Sequence, residues 1–435
     1  MTTAQGSSRE RPNGWAVLVL MAGVLYVSLI VWLAPAQFQG DEAAYLQLAD
    51  NLTHGFFSPP GQIHLWWGPG YPLVLAPFVA LDVPVLAMRL LNAGFMLGAS
   101  VFGFWTARLF MPRRIAIVAA VYLAVYVPAV VELPYLLTES LALLLASAWM
   151  YAFCRMQLPT PSGPATRGSG GVLLGVISAA LFAYLAVTKV FFGWVLVASL
   201  ATSLALLALR RRSAYGRWAA AFGLALLLCC PYLLYTYSVT GRPLYWGTSG
   251  GLSLYWMSSP YPGELGDWFP IDAMKNDPRL APNHAAVYAR IQNLNELDRD
   301  DVLRAAAIEN IASHPAKYAF NWIDNLGRLV LNFPYTGTPF NLRSVAVALM
   351  NAPVLVLLAW SIVLMARRRQ PVLPGIGGLA MVAGIAVLGS SALSAYLRQL
   401  VPLIPWLTIA TSATVWPAVA AWSNGHSRWH RHAER

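Results

Sequence analysis

Charged side chains are scarce: Asp, Glu, Lys and Arg make up 11% of the 435 residues, against about 25% in soluble domains. With 58% of the chain hydrophobic, that scarcity excludes a soluble globular enzyme. Cysteine is nearly absent, at three residues. Cys154 falls at the end of an apolar run and Cys229 and Cys230 lie inside another, so neither a disulfide framework nor a metal-ligand spacing is present. The seven histidines are scattered, without the i, i+4 or short paired spacing of a metal site. No Walker-type or dinucleotide-type glycine loop occurs, which argues against ATP and against a soluble nucleotide donor. No segment repeats at a fixed period.

What the chain has instead is apolar runs long enough to cross a hydrocarbon core of about 30 Å. About ten crossings are predicted, at 15–34, 85–110, 115–132, 135–154, 171–188, 190–209, 218–238, 343–366, 372–392 and 398–421. Ten crossings put both termini on one side. The loops and tails of that side hold 17 of the 29 basic residues, among them Arg113, Arg114, Arg210, Arg211, Arg212 and Arg217, with only Glu10 and Glu434 of the 18 acids. A positive-inside bias of this strength predicts cytoplasmic termini in a multi-pass plasma (inner) membrane protein. The net charge of +11 is then topological and does not point to nucleic acid. Ala34-Pro35-Ala36 resembles a signal-peptidase site, but the apolar stretch from Trp15 to Leu33 is too long for an h-region. An uncleaved first crossing is expected.

The predicted fold class is all-α and polytopic, with interfacial helices on the outer face and a mostly helical outer cap. Residues 1–238 form an N-terminal transmembrane module that carries a first outer segment, 35–84. Residues 239–342 form an extracytoplasmic cap, and 343–435 the last crossings with a short cytoplasmic tail. In the first outer segment Ala43, Leu46, Ala49 and Leu52 follow a helical spacing that Gly55 closes, which predicts a short helix in the interface. The run Trp66-Trp67-Gly68-Pro69-Gly70-Tyr71-Pro72 follows, rich in residues that favour the membrane–water boundary. In the cap ten acids balance eight bases, as in a folded module. The Pro-, Gly- and Ser-containing loop 156–170 reads as a flexible linker.

An acid close to a membrane is expensive and marks function by default. The outer-face acids are Asp41, Glu42, Glu132 and Glu139. Asp41 also stands where a helix N-cap belongs, Glu42 where the helix dipole favours an acid, and Thr138-Glu139 repeats that pattern. Three cations, Arg89, Lys189 and Arg398, stand near outer helix ends in apolar sequence. Each alone reads as a side chain snorkelling to the interface. Together with the acids they form the set that group transfer from a lipid phosphate needs, a base and cations for an anionic leaving group. His64, in the first outer segment, is by itself better explained as a surface side chain than as a ligand, and joins the substrate-binding candidates only by its place.

Gly40-Asp41-Glu42-Ala43-Ala44-Tyr45 after a first crossing, then Gly68-Pro69-Gly70-Tyr71-Pro72-Leu73, resembles the GT-C superfamily of glycosyltransferases. The similarity is to its protein O-mannosyltransferase and aminoarabinose-transferase-like branch. Arg89-Leu90-Leu91-Asn92-Ala93, Leu137-Thr138-Glu139, Ser249-Gly250-Gly251-Leu252-Ser253-Leu254-Tyr255 and Tyr396-Leu397-Arg398 fit the same pattern in order along the chain. Trp67-Gly68-Pro69 departs from the Lys-Pro-Pro of aminoarabinose-transferase-like members, which leaves donor sugar and acceptor open.

The resemblance implies a polyprenyl-phosphate sugar donor and a lipid, glycan or protein acceptor. It makes Asp41 the general base of an inverting transfer, with Glu42 beside it. Tyr45, His64, Tyr71, Arg89, Glu139, Lys189, Tyr255 and Arg398 are then substrate-binding candidates, Lys189 and Arg398 holding the leaving phosphate. No cofactor is called for, although Asp41 and Glu42 together could hold a divalent cation. Two rivals remain: an oligosaccharide polymerase or ligase relying on late-loop arginines such as Arg242 or Arg328, and a lipid or sugar transporter, which would place its acids near the midplane.

Overall fold

The computed structural model describes residues 14–158, 169–367 and 372–433. Both chain ends and most of the expected linker lie outside them. Apart from one isolated bridge between Tyr335 and Thr338, the regular structure among the described residues is helical.

The first crossing is α1 (Gly14–Leu33), apolar all round, with only Tyr26 and Ile30 buried. Two short helices, α2 (Glu42–Thr53) and α3 (Gly70–Ala80), follow in the first outer segment, where interfacial helices were expected. Next come α4 (Val85–Arg108), α5 (Arg113–Ala124), the single turn α6 (Val127–Val130), α7 (Thr138–Gln157), α8 (Ser169–Thr188) and α9 (Phe191–Arg210). The module closes with α10 (Ser213–Leu228) and α11 (Cys230–Thr240), bent by 49° at their junction. Pro231 lies in the first turn after that break, where it removes a helical N–H and so favours a kink.

Seven helices are long and apolar enough to cross a membrane, eight if α10 and α11 count as one broken span. The expected ten therefore shrink, for two separate reasons. The segment expected at 115–132 is α5, 12 residues long, or about 18 Å, which is short of a bilayer. The segment expected at 135–154 is α7, whose 20 residues are long enough, but it carries Glu139, Ser140, Ser147, Arg155 and Gln157 and is buried along most of its length. It is the axis of the bundle. Trp149 on α7 meets Phe182 of α8 at 5.0 Å and Trp406 at 4.9 Å between ring centroids, aromatic pairs that fix the neighbouring helices around it.

The cap comprises α12 (Gly250–Met257), α13 (Ala273–Asn276), α14 (Ala281–Ile291), α15 (Glu296–Ser313) and α16 (Pro315–Leu331). Its own small core joins Leu252, Tyr255, Trp256, Ile291 and Leu303. Helix α16 is inverted with respect to a soluble amphipathic helix. It buries Asn321, Asn325 and Arg328 and exposes Phe320 and Ile323. The spans α17 (Leu342–Arg367) and α18 (Pro374–Leu393) follow, then the single turn α19 (Leu397–Leu400) and the final helix α20 (Ile404–Ala433).

Candidate active site

Gly40, at φ +56°, turns the chain after α1 so that Asp41 and Glu42 open α2. A helix sets successive side chains about 100° apart, and the two acids part accordingly. Glu42 is fully buried. Its Oε1 accepts from Arg89 Nε at 3.1 Å, from Arg89 Nη2 at 2.9 Å and from the Leu136 amide at 2.8 Å. Its Oε2 accepts from Arg89 Nη2 at 3.1 Å and from the Gln39 amide at 2.8 Å. Arg89 also donates to the Pro35 carbonyl at 2.8 Å. The pair thus staples the first outer segment to α4 and to the loop before α7. Neither residue has the freedom expected of a catalytic acid or a phosphate-holding cation, and Glu42 has no oxygen left to join Asp41 on a divalent cation.

Asp41 occupies the N-cap position but makes no side-chain cap hydrogen bond, so the cap reading of it does not hold. Its carboxylate, 35% exposed, lies 3.7 Å from Arg398 Nη2. Arg398 reaches this point because the chain is extended at Tyr396 before α19. Its Nε donates to Glu139 Oε1 at 3.0 Å, and Lys189 Nζ donates to the same oxygen at 2.9 Å. Glu139 is buried on the first turn of α7, and its other oxygen is unpartnered. Lys189 follows directly on α8, against which the glycine turn presses. A Cβ on Gly70 would stand 2.3 Å from Thr188 Oγ1, and one on Gly68 2.1 Å from the Val187 carbonyl oxygen. Only glycine allows that approach, which ties Gly68-Pro69-Gly70 to the base of Lys189.

Tyr45 and Tyr71 form an edge-on pair at 5.2 Å, both buried. Burial holds the Tyr45 hydroxyl well above its usual range, and the charges of Asp41 and Glu139 push it further. It stays neutral, beside Thr138. Glu132, not among the expected substrate-binding residues, lies within electrostatic reach of Glu139, Arg398 and Lys189. It sits in the turn after α6, where burial raises its carboxyl, Glu139 adds to the rise, and Arg398, Lys189 and Arg343 oppose it.

Two of the expected substrate contacts lie elsewhere. His64 Nδ1 is 2.8 Å from Glu296 Oε1, while Glu296 Oε2 accepts from the Leu65 amide at 3.0 Å and from Thr248 Oγ1 at 2.8 Å. His64 is part of a clasp between the first outer segment and the cap. Tyr255 lies in the cap core, its hydroxyl 2.6 Å from His284 Nδ1, and does not line the space beside Asp41. That space is a cavity of about 500 Å³ between α2, the Trp66-Trp67 turn and the cap, to which Trp268, Tyr288, Gln292 and Arg299 contribute. Nothing in their spacing marked those cap residues beforehand. Among the described residues no group of three or more His, Cys, Asp or Glu side chains is placed to hold a metal ion.

A bundle of membrane helices, short interfacial helices opening on an acid, and a helical cap beside an open cleft that this acid lines make up the all-α polytopic fold expected from the sequence. No family model and no curated protein matches the sequence. Among solved structures, the archaeal oligosaccharyltransferase AglB from Archaeoglobus fulgidus, in complex with an inhibitory peptide and a dolichol-phosphate, aligns over 96% of this chain and 52% of its own. The TM-score is 0.53 at 13% identity, so the likeness is one of fold, and this chain spans about half the length of that protein. ArnT from Cupriavidus metallidurans bound to undecaprenyl phosphate aligns over 93% of this chain and 78% of its own, with TM-score 0.41 and 15% identity.

Proposed function

We propose that the chain is a membrane glycosyltransferase that moves a sugar from a polyprenyl-phosphate donor to an acceptor hydroxyl at the extracytoplasmic face, its termini being cytoplasmic. The observation that carries this reading is the uncapped Asp41 carboxylate at the cavity wall, 3.7 Å from an arginine that shares Glu139 with Lys189. In the proposed step Asp41 takes the acceptor's hydroxyl proton as that oxygen bonds to the anomeric carbon. The bond from the anomeric carbon to phosphate oxygen breaks, and its electron pair leaves on polyprenyl phosphate. Arg398 and Lys189 stabilise that anion, so no strong general acid is required. A single displacement inverts the anomeric configuration. Glu139 acts through the two cations, as a positioning residue.

The late-loop ligase reading finds less support. Arg242 is ion-paired with Asp301, and Arg328 is buried against Asn325, the Pro334 carbonyl and the Leu265 carbonyl. The test is turnover by purified protein in lipid with a panel of labelled polyprenyl-phosphate sugars. Release of polyprenyl phosphate with an inverted glycosidic product is expected. A product of retained configuration would contradict the single displacement.

A further inference from the structure

The cavity beside Asp41 has a wall that the transfer chemistry leaves unused. Trp268 of the cap is 39% exposed although it is among the largest side chains of its module, and Trp66, Trp67 and Tyr288 line the same space. The rings of Trp66 and Trp67 stand edge-on at 6.3 Å, so they present faces in different directions. Asp272, Gln292 and Arg299 line the same space as well. Their side chains make no hydrogen bond or ion pair among the described residues. The nearby acids Glu264, Glu296, Asp300 and Asp301 are, by contrast, all paired. A volume of about 500 Å³ falls in the range of about 300–1,000 Å³ usual for small-molecule sites.

A ligand suited to these walls must offer apolar faces and dense hydrogen-bonding edges at once. An aliphatic chain would cover the rings but strand an acid, an amide and a guanidinium without partners. A peptide has no sheet edge to pair with among the described residues, and its docking on aromatic walls instead is the peptide arm of the test below. A sugar ring satisfies both demands. Its C–H bonds, made electropositive by the attached oxygens, lie on the negative face of an indole. Its hydroxyls both donate and accept, so they pair with Asp272, Gln292 and Arg299 alike. We propose that the cap wall formed by Trp268, Tyr288, Gln292 and Arg299 is the subsite of a saccharide acceptor, held with one hydroxyl toward Asp41. This rests on the transferase reading and names its acceptor class.

The test uses the full chain carrying Asp41→Asn, which blocks turnover, in lipid nanodiscs. Saturation-transfer NMR reads binding of di- and trisaccharides of glucose, mannose, galactose and arabinose, and of a serine-containing peptide. A short-chain polyprenyl phosphate is titrated in parallel. At least one saccharide is expected to bind through its ring protons. Trp268→Ala is expected to weaken it about tenfold and Trp268→Phe less, with lipid-phosphate binding unchanged in both. Binding of lipid phosphate but of no saccharide, preference for the peptide, or saccharide binding indifferent to both Trp268 variants would overturn the acceptor assignment. Saccharide binding without lipid-phosphate binding would leave the subsite standing and remove the transferase reading instead.

Discussion

Asp41 and Glu42 are adjacent and chemically alike, yet one turn of peptide sends them to different tasks. Glu42 is saturated by Arg89 and two amides in a site closed to water. Replacing it by Gln leaves a buried guanidinium without its counter-charge, which costs about 3–5 kcal/mol. Glu42→Gln is therefore expected to lower the midpoint of thermal unfolding in detergent, with part of the loss restored by adding Arg89→Met. Lost turnover in a protein of unchanged stability would make Glu42 catalytic after all. Glu139 differs again. Glu139→Gln removes the shared anchor of Lys189 and Arg398, and steady-state kinetics should show KM for the lipid-linked donor raised about tenfold. An unchanged KM would separate Glu139 from donor binding. The sequence marked Asp41, Glu139, Lys189 and Arg398 because isolated charges stand out in apolar surroundings. It set Arg89 behind Lys189 and Arg398 but could not show why, since its partner Glu42 lies 47 positions away and only the fold brings the two together.

Helices were legible in proportion to how apolar they are all round. The lipid-facing α1 and α17 and the spans α8, α9 and α18 were plain from hydropathy. Helix α5 was overcounted because the apolar run 115–132 continues through a break at Val125, which hydropathy does not register. Helix α7 was counted as one more crossing, but its polar residues are matched inside the bundle rather than spread toward lipid. The cap was expected as a folded helical module from its balanced charge, but that balance does not show which way each helix faces. Helix α16 keeps its polar side inward, with Trp322 Nε1 donating to Ser391 Oγ at 2.7 Å and Tyr318 Oη to the Ala392 carbonyl at 2.8 Å. Its outward face carries Phe320, 65% exposed, and Ile323, 63% exposed, beside the apolar spans α17 and α18. Such a face is stable in the interface and unfavourable in water. A nitroxide at Ile323→Cys in nanodiscs is expected to be relaxed by oxygen, which concentrates in lipid, more than by a water-soluble nickel chelate. The opposite ranking would put α16 in water.

At the scale of the molecule, the first outer segment and the cap flank an open cleft, and the clasp at Glu296 joins them. The hydrogen bond that His64 donates to Glu296 raises the pKa of His64 above 6.5, against an opposing effect of burial. Burial works against Glu296 as well, but hydrogen bonds from His64 and Thr248 keep its carboxyl below 4.5. The contribution of His64 is full below its unfolded pKa and fades as pH rises through the raised folded value. That of Glu296 is full above its unfolded pKa and fades as pH falls through the lowered one. The clasp is therefore tightest between about 4.5 and 6.5. Protection factors at the Leu65 and Thr248 amides, taken as exchange relative to the intrinsic rate at each pH, should fall above that window in the wild type, and Glu296→Gln should abolish the fall. Protection that does not change with pH in the wild type would show that other contacts hold the cap down.

The central claim is that Asp41 removes the acceptor's proton, and one comparison bears on it most directly. Transfer from a labelled polyprenyl-phosphate sugar is measured for wild type and for Asp41→Asn, both in lipid and both shown to melt alike. The account expects the variant to lose more than about 10²-fold in kcat while still binding the donor. Turnover surviving in a folded Asp41→Asn protein would contradict it, and the proton would have to be taken by another acid of the same cluster, Glu132 or Glu139.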